Sequence, residues 1–186
     1  TNPSMIRSIT SKWDGHRAAN GRPLVSEDIL ERMKLVTTEE AWGTCKRNDY
    51  HFQFAGNWMN LHPHRVIVGR AVTCRWVPRR PDIHDSIDKQ GEEDDRVGFQ
   101  NSWVIDELEQ NDLIVVDLFG KVLHGTFAGD NLATAIKSRS GTGMVIDGGI
   151  RDTQRIIEMD DFNAFVRGVD PSAILDVSMP EINGIT

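Results

Sequence analysis

Cysteine is scarce. Cys45 and Cys74 are the only two in 186 residues, too few for a disulfide framework and without the spacing of a metal-binding pair. A reduced, cytoplasmic setting is therefore expected. No run approaches the ~18–20 apolar residues of a membrane span. The opening stretch TNPSMIRSITSKWDG has no continuous apolar core ahead of a small-residue cleavage site. Neither a membrane nor a secretory signal is expected. Positive charge is short as well: 21 Lys and Arg stand against 28 Asp and Glu, a net charge of -7. Nucleic-acid binding rests on a basic face that neutralises phosphates, so no nucleic-acid partner is expected. The one basic concentration, Arg70, Arg75, Arg79 and Arg80, reads as a solvated strand edge or as a receiver of an anion or acidic surface. Internal repeats are absent.

The composition, 39% apolar and 26% charged, is that of a globular protein, and the chain is long enough to bury roughly two thirds of its unfolded surface. One domain over residues 1–186 is expected, with an N-terminal helical extension to about residue 60. Ser26 can cap a helix SEDILERMKLV, in which Ile29, Met33 and Val36 follow the helical period. Thr37 and Glu40 have the spacing of a capping box for the next helix. RVIVGRAVTCRWV, from Arg65 to Val77, suits a strand. Residues 78–100 are dense in Pro, Asp, Glu and Gly and read as a long surface loop. A helix over Trp103 to Gln110 leads into a buried strand, LIVVDLFG, with KVLHGTF as its hairpin or neighbouring partner. Then come a helix from about Asn131 to Arg139, a strand GMVID, a helix from Asp152 to Met159 and a strand NAFVRG. This alternation predicts an α/β layered domain.

Two pieces of this half carry chemistry. Gly129 and Asp130 feed a helix whose apolar positions Leu132, Ala133, Ala135 and Ile136 face a core, with Asp130 as its expected N-cap. Free N–H groups at such a start can hold a carboxylate, or the site is simply a capped helix. In GMVIDGGIRD, Gly148 and Gly149 are expected to turn the chain out of its strand, leaving Arg151 and Asp152 at a strand-to-helix junction. Arg offers a planar fork for a carboxylate or enolate, and Asp is a hard oxygen ligand. Alternatively Asp152 caps its helix and Arg151 pairs with it. Asp147 is expected to orient the glycine turn.

Together these residues resemble the class II pyruvate aldolases of the 4-hydroxy-4-methyl-2-oxoglutarate aldolase type and their relatives named as regulators of ribonuclease activity A. The family pattern is Gly-(Asp/Glu)-x-Leu-Ala, then Gly-x-Val-x-Asp-Gly-x-x-Arg-Asp. Here it reads Gly129-Asp130-Asn131-Leu132-Ala133 and Gly143 through Arg151-Asp152. GRAVT and FVRG extend the likeness more weakly. The resemblance implies a swivelling β/β/α domain with layered sheets and flanking helices, assembled as homotrimers or homohexamers with active sites at subunit boundaries. It implies Asp152 as ligand of Mg2+ or Mn2+, Asp130 holding one of the metal's waters, and Arg151 with the amides around Gly129, Asn131, Leu132 and Ala133 receiving a small 2-oxo acid. The implied activity is a retro-aldol cleavage of a 4-hydroxy-2-oxo acid that releases pyruvate, with oxaloacetate decarboxylation through the same enolate. No lysine falls at a motif position, which favours the metal route over a Schiff base. The alternatives are a protein-binding regulator of a ribonuclease and a sugar-acid aldolase or dehydratase on the same scaffold. The chain stops near where the family continues into further strands, so a C-terminal segment is expected to be lacking.

Other candidates read as structural. His51, His62 and His64 lack a completing ligand at metal spacing. His84, Asp85 and Asp88 with Glu92 to Asp95 read as a solvated acidic loop, the five tryptophans as core or subunit contacts, and His124 as a neighbour of the anion site.

Overall fold

The computed structural model describes residues 2–175 and 177–185, with side chains of 182–185 left aside. Asn2 accepts from Ser4 N to open α1 (Pro3–Ile9), and Ser26 accepts from Ile29 N to open α2 (Glu27–Met33). Helix α3 (Thr38–Arg47) begins with the expected capping box. Glu40 N donates to Thr37 Oγ1 at 3.2 Å, and Thr37 N donates to Glu40 Oε2 at 2.9 Å. A short strand β1 (Met59–Asn60) and a long one, β2 (Arg70–Pro78), follow. Next come α4 (Pro81–Glu93), α5 (Gln100–Asp106), β3 (Asp112–Lys121), α6 (Asp130–Ser140) and β4 (Gly143–Ile150). The chain continues through α7 (Thr153–Ile157), β5 (Asn163–Val169) and β6 (Ser178–Ile185).

The described strands form one six-stranded sheet in the order β1-β5-β4-β3-β2-β6. Its four central strands are parallel, and its edges, β1 and β6, are antiparallel. Each step from β2 to β5 passes through helix and moves one strand in the same direction, so right-handed crossovers lay the helices on one face. Every second residue points there. Val72, Cys74 and Trp76, then Ile114, Val116 and Leu118, then Met144 and Ile146, then Ala164 and Val166 are all buried, against Val104, Ile136 and Ile156 from the helices. Each such aliphatic side chain contributes about 1.5–3 kcal/mol on burial. No described helix is long and apolar enough to cross a membrane.

Among the described residues, one charge lies in this interior. Asp112, at the start of β3, is fully buried, and its carboxylate takes both Arg22 Nη1 and Nη2 at 3.0 Å, with Arg70 Nε at 3.2 Å. Its Oδ2 also accepts from Glu109 N at 2.8 Å. The forked pair ties the N-terminal segment to the sheet.

The thiols differ in environment. Burial pushes Cys74 from 9.0 up to about 12, whereas Cys45 is only half-buried. Near pH 8 a thiol reagent is expected to titrate Cys45 in the native protein and both cysteines after denaturation; equal reactivity in the folded state would contradict this burial. Because the native thiol holds its proton more tightly, the Cys74 contribution to stability is full below 9.0 and is lost as pH rises toward about 12.

Several expectations are corrected. The loop expected at 78–100 contains α4 and the start of α5: Pro81 sits in the first turn, where its missing N–H has no partner to lose. The strand expected from Arg65 starts only at Arg70, and the helix expected over 103–110 runs from Gln100 to Asp106. KVLHGTF is no hairpin. The chain turns after Lys121, with His124 at φ 62°, and Thr126 and Ala128 join by single bridges to Ala173 and Ile150. Strand β6 was not anticipated, and Thr186 lies outside the described residues.

Candidate functional site

Strand β4 does not end at its glycines, against the expectation from sequence; it continues through Gly148 and Gly149 to Ile150, with its register against β5 shifting between Ile146 and Gly149. The glycines serve close approach instead. A Cβ on Gly149 would stand 2.9 Å from Val122 O, and Phe127 N donates to Gly149 O at 2.9 Å. The segment leading to α6 is thereby laid against β4. Arg151 N extends the contact by donating to Ala128 O at 2.9 Å. Two helix starts thus meet at the carboxyl end of one parallel strand.

Asp152 then takes a left-handed conformation, φ 56° and ψ 34°, which Asp tolerates better than most residues but which is uncommon outside glycine. It occupies the N-cap position of α7, yet its side chain makes no capping bond. Its Oδ2 turns across to the start of α6, where Asp130 N donates to it at 3.4 Å. The expected N-cap role of Asp130 is corrected: Gly129 holds that position and Asp130 is the first helical residue. Asp130 Oδ1 accepts from Asn131 N at 2.9 Å, and Oδ2 pairs with Arg155 Nη1 at 2.9 Å.

Arg151 lies beside this pair. Its Nε is 3.5 Å from Asp152 Oδ2, and its Nη1 donates to Thr126 Oγ1 at 3.4 Å. Thr126 is itself held by its bond to Ser172 O, 2.5 Å away. Gly129 sits between the two functional side chains: any Cβ there would overlap Asp152 Oδ2 and lie 3.0 Å from Arg151 Nε. A cleft of about 560 Å3, lined by Asp130, Asp152, Thr153, Gln154 and Arg155, opens over the two aspartates, with Arg151 just outside its lining. The side chains of Asp130, Arg151 and Asp152 are 18%, 27% and 44% exposed.

The residues singled out from sequence therefore come together, with one change of detail. Asn131 and Leu132 stand at the helix start, but Ala133 N already donates to Gly129 O at 3.0 Å and Ala133 is buried. Asp147 does not orient the turn. It pairs with Arg167 Nε at 2.5 Å, and that guanidinium stacks 3.8 Å from the centre of the Trp58 ring. Arg155 and Thr126 were missed. Arg155 follows Asp152 by three residues, a spacing that puts helical side chains on one face; Thr126 arrives from another strand connection and leaves no local signal. The histidines stay apart from the cleft: His62 Nε2 lies 2.8 Å from Ile157 O, and His84 Nδ1 lies 3.2 Å from Asp88 Oδ2.

Among the described residues no group of three or more His, Cys, Asp and Glu could cage a metal. Two aspartates at an open cleft nonetheless fit magnesium, which keeps several waters and takes one or two protein carboxylates together with ligand oxygens.

A family model described as RraA-like, Aldolase/RraA, matches residues 39–184. The chain belongs to the RraA-like family. Its fold is shared with Streptomyces coelicolor RraAS2, an unusual member of the RNase ES inhibitor RraA protein family: 21% identity, TM-score 0.67, 85% of this chain and 72% of that one. An uncharacterized protein from Pseudomonas syringae pv. tomato is similar at 17% identity and TM-score 0.66, over 86% of this chain and 65% of the other. No curated protein matches the sequence. The expected α/β class is that of the RraA-like fold, a mixed sheet flanked by helices.

Proposed function

We propose that this RraA-like chain is a divalent-metal-dependent carbon–carbon lyase that cleaves a 4-hydroxy-2-oxo acid to release pyruvate and also decarboxylates oxaloacetate. One observation carries the reading: Asp152, in a strained conformation, turns its carboxylate away from its own helix toward the start of α6, with Arg151 alongside. A carboxylate that merely capped α7 would gain nothing from that conformation.

Asp152 would hold Mg2+ or Mn2+, with Asp130 beside it as a second carboxylate. Bound there, the metal supplies Lewis-acid stabilisation of the negative charge that develops on the 2-oxo oxygen. Arg151 presents its fork to the substrate carboxylate, held in place by Thr126. The amide of Leu132, at the positive end of α6, attracts the same anionic end, while that of Asn131 is taken by Asp130 Oδ1. Gly129 keeps the backbone low enough for these groups to converge. None of the residues lining the cleft is lysine, in keeping with a route that needs no Schiff base. The site's exposure suits a trimer or hexamer in which a neighbouring subunit closes it. We take residues 1–186 as one domain, with a helical extension to about residue 60.

Gly129→Ala is expected to separate Asp152 from Arg151 and to lower activity about a hundredfold, as misplacing catalytic groups by an ångström does, while the melting temperature changes little. The test of class is a coupled pyruvate-release assay over a panel of 4-hydroxy-2-oxo acids and oxaloacetate. Turnover with magnesium or manganese that stops in EDTA is expected; turnover indifferent to EDTA would refute the metal route.

A second reading takes up the ribonuclease inhibition named for the Streptomyces relative. The net charge of -7 would then face a basic segment of a ribonuclease. Stoichiometric capture of a ribonuclease by a protein without lyase activity would favour it.

A further inference from the structure

A second cavity, of about 310 Å3, opens at the same carboxyl edge of the sheet but beyond the other end of the parallel set, between β2, α4, α5 and the start of β6. Its size is at the small end of ligand sites. Trp76, Trp103 and Ile174 make its apolar walls, and His84, Gln100 and Ser178 bring polar groups. Four lining side chains have a buried polar atom without a hydrogen-bond partner among the described residues, Trp76 Nε1, His84 Nδ1, Trp103 Nε1 and Ser178 Oγ; of these, His84 Nδ1 has a carboxylate beside it, Asp88 Oδ2 at 3.2 Å. Buried donors in native proteins are nearly always satisfied. An indole nitrogen can only donate, so whatever satisfies it must present an acceptor.

The walls are fixed in advance. Gly91 lets the Trp103 ring lie against the backbone of α4, where any Cβ would overlap it. Trp76 meets Phe127 edge-on, with ring centroids 5.8 Å apart. The charges lining the cavity discourage an anion: Asp88 and Glu92 stand there, while Arg96 is already paired with Glu107 at 2.7 Å. Gln100 Nε2 donates to Asp88 Oδ1 at 2.7 Å, which holds the acidic side in place.

We infer that this cavity is a second binding site, for an uncharged planar aromatic or heteroaromatic molecule of one or two rings whose acceptor atoms meet Trp103 Nε1 and Ser178 Oγ. The site adjoins the catalytic segment. Asn101, also on its wall, donates through Nδ2 to Phe127 O at 2.7 Å, and Phe127 lies two residues before Gly129.

The test is a titration of 15N-labelled protein, following the indole N–H signals, with nicotinamide, adenine and caffeine as neutral probes and nicotinate as the anionic control. A saturable shift of the Trp103 signal is expected with at least one neutral probe, and nicotinate is expected to bind more weakly than nicotinamide. Ser178→Ala is expected to weaken the neutral probe by about tenfold, the effect of one hydrogen bond. Trp103→Phe removes the donor together with the ring edge that lies on Gly91; followed on the Trp76 indole signal, it is expected to weaken the probe at least as much. No saturable shift with any neutral probe, nicotinate binding as tightly as nicotinamide, or unchanged affinity in both variants would overturn the assignment.

Discussion

Asp152→Asn is expected to lower magnesium-dependent pyruvate release by about a hundredfold or more, because even the partners of a metal ligand cost 10–100-fold when removed. The choice of Asn isolates charge from backbone. Asn accepts the left-handed conformation that Asp152 adopts at φ 56°, so α7 and the turn before it stay in place. Stability is therefore expected to change by no more than about 0.5 kcal/mol, as for a surface substitution. The loss should appear as a higher magnesium requirement together with a lower kcat. Full activity in Asp152→Asn at ordinary magnesium would remove Asp152 from the metal site.

The second large effect is on stability. Asp112→Ala leaves Arg22 and Arg70 beside a buried position without their carboxylate, and breaking a buried pair in this way costs about 3–5 kcal/mol. For a chain of this size, at about 2–4 °C per kcal/mol, the melting temperature should fall on the order of 10 °C. Arg22→Ala should cost less, because Arg70 and the Glu109 amide still hold the carboxylate. It should also release the N-terminal segment to limited proteolysis. Calorimetry on both variants checks the ranking, and a fall in Asp112→Ala no greater than that in Arg22→Ala would contradict it.

Local signals in the sequence were reliable at the starts of α2 and α3 and in the strand periods after residue 112. The capping box of Thr37 and Glu40, the Ser26 cap and the alternation after residue 112 all depend on neighbours within a few positions, so they can be read without the fold. Acidic residues and Pro81 misled over α4, because the composition of a solvated helix face resembles that of a loop, and a proline in the first turn opens a helix rather than ending it. The site was legible in its motif residues and obscure in their partners. Asp130, Arg151 and Asp152 stand within two short stretches, and the fold brings those stretches together. The pairing of Arg155 with Asp130, the support of Arg151 by Thr126 and the commitment of Asp147 to Arg167 depend on contacts between segments that no local pattern encodes. Gly149 shows the same limit: a glycine pair reads as a turn, but here it marks the close passage of a second strand of backbone.

The site at Asp152 is tested most directly by titrating Mn2+ into the protein while following water-proton relaxation, with and without oxalate as a planar mimic of the pyruvate enolate. One manganese per chain, bound more tightly when oxalate is present and lost in Asp152→Asn, is the expected result. Manganese binding that is absent from the wild-type protein, or that is unchanged by Asp152→Asn, would contradict a metal-dependent lyase built on this aspartate.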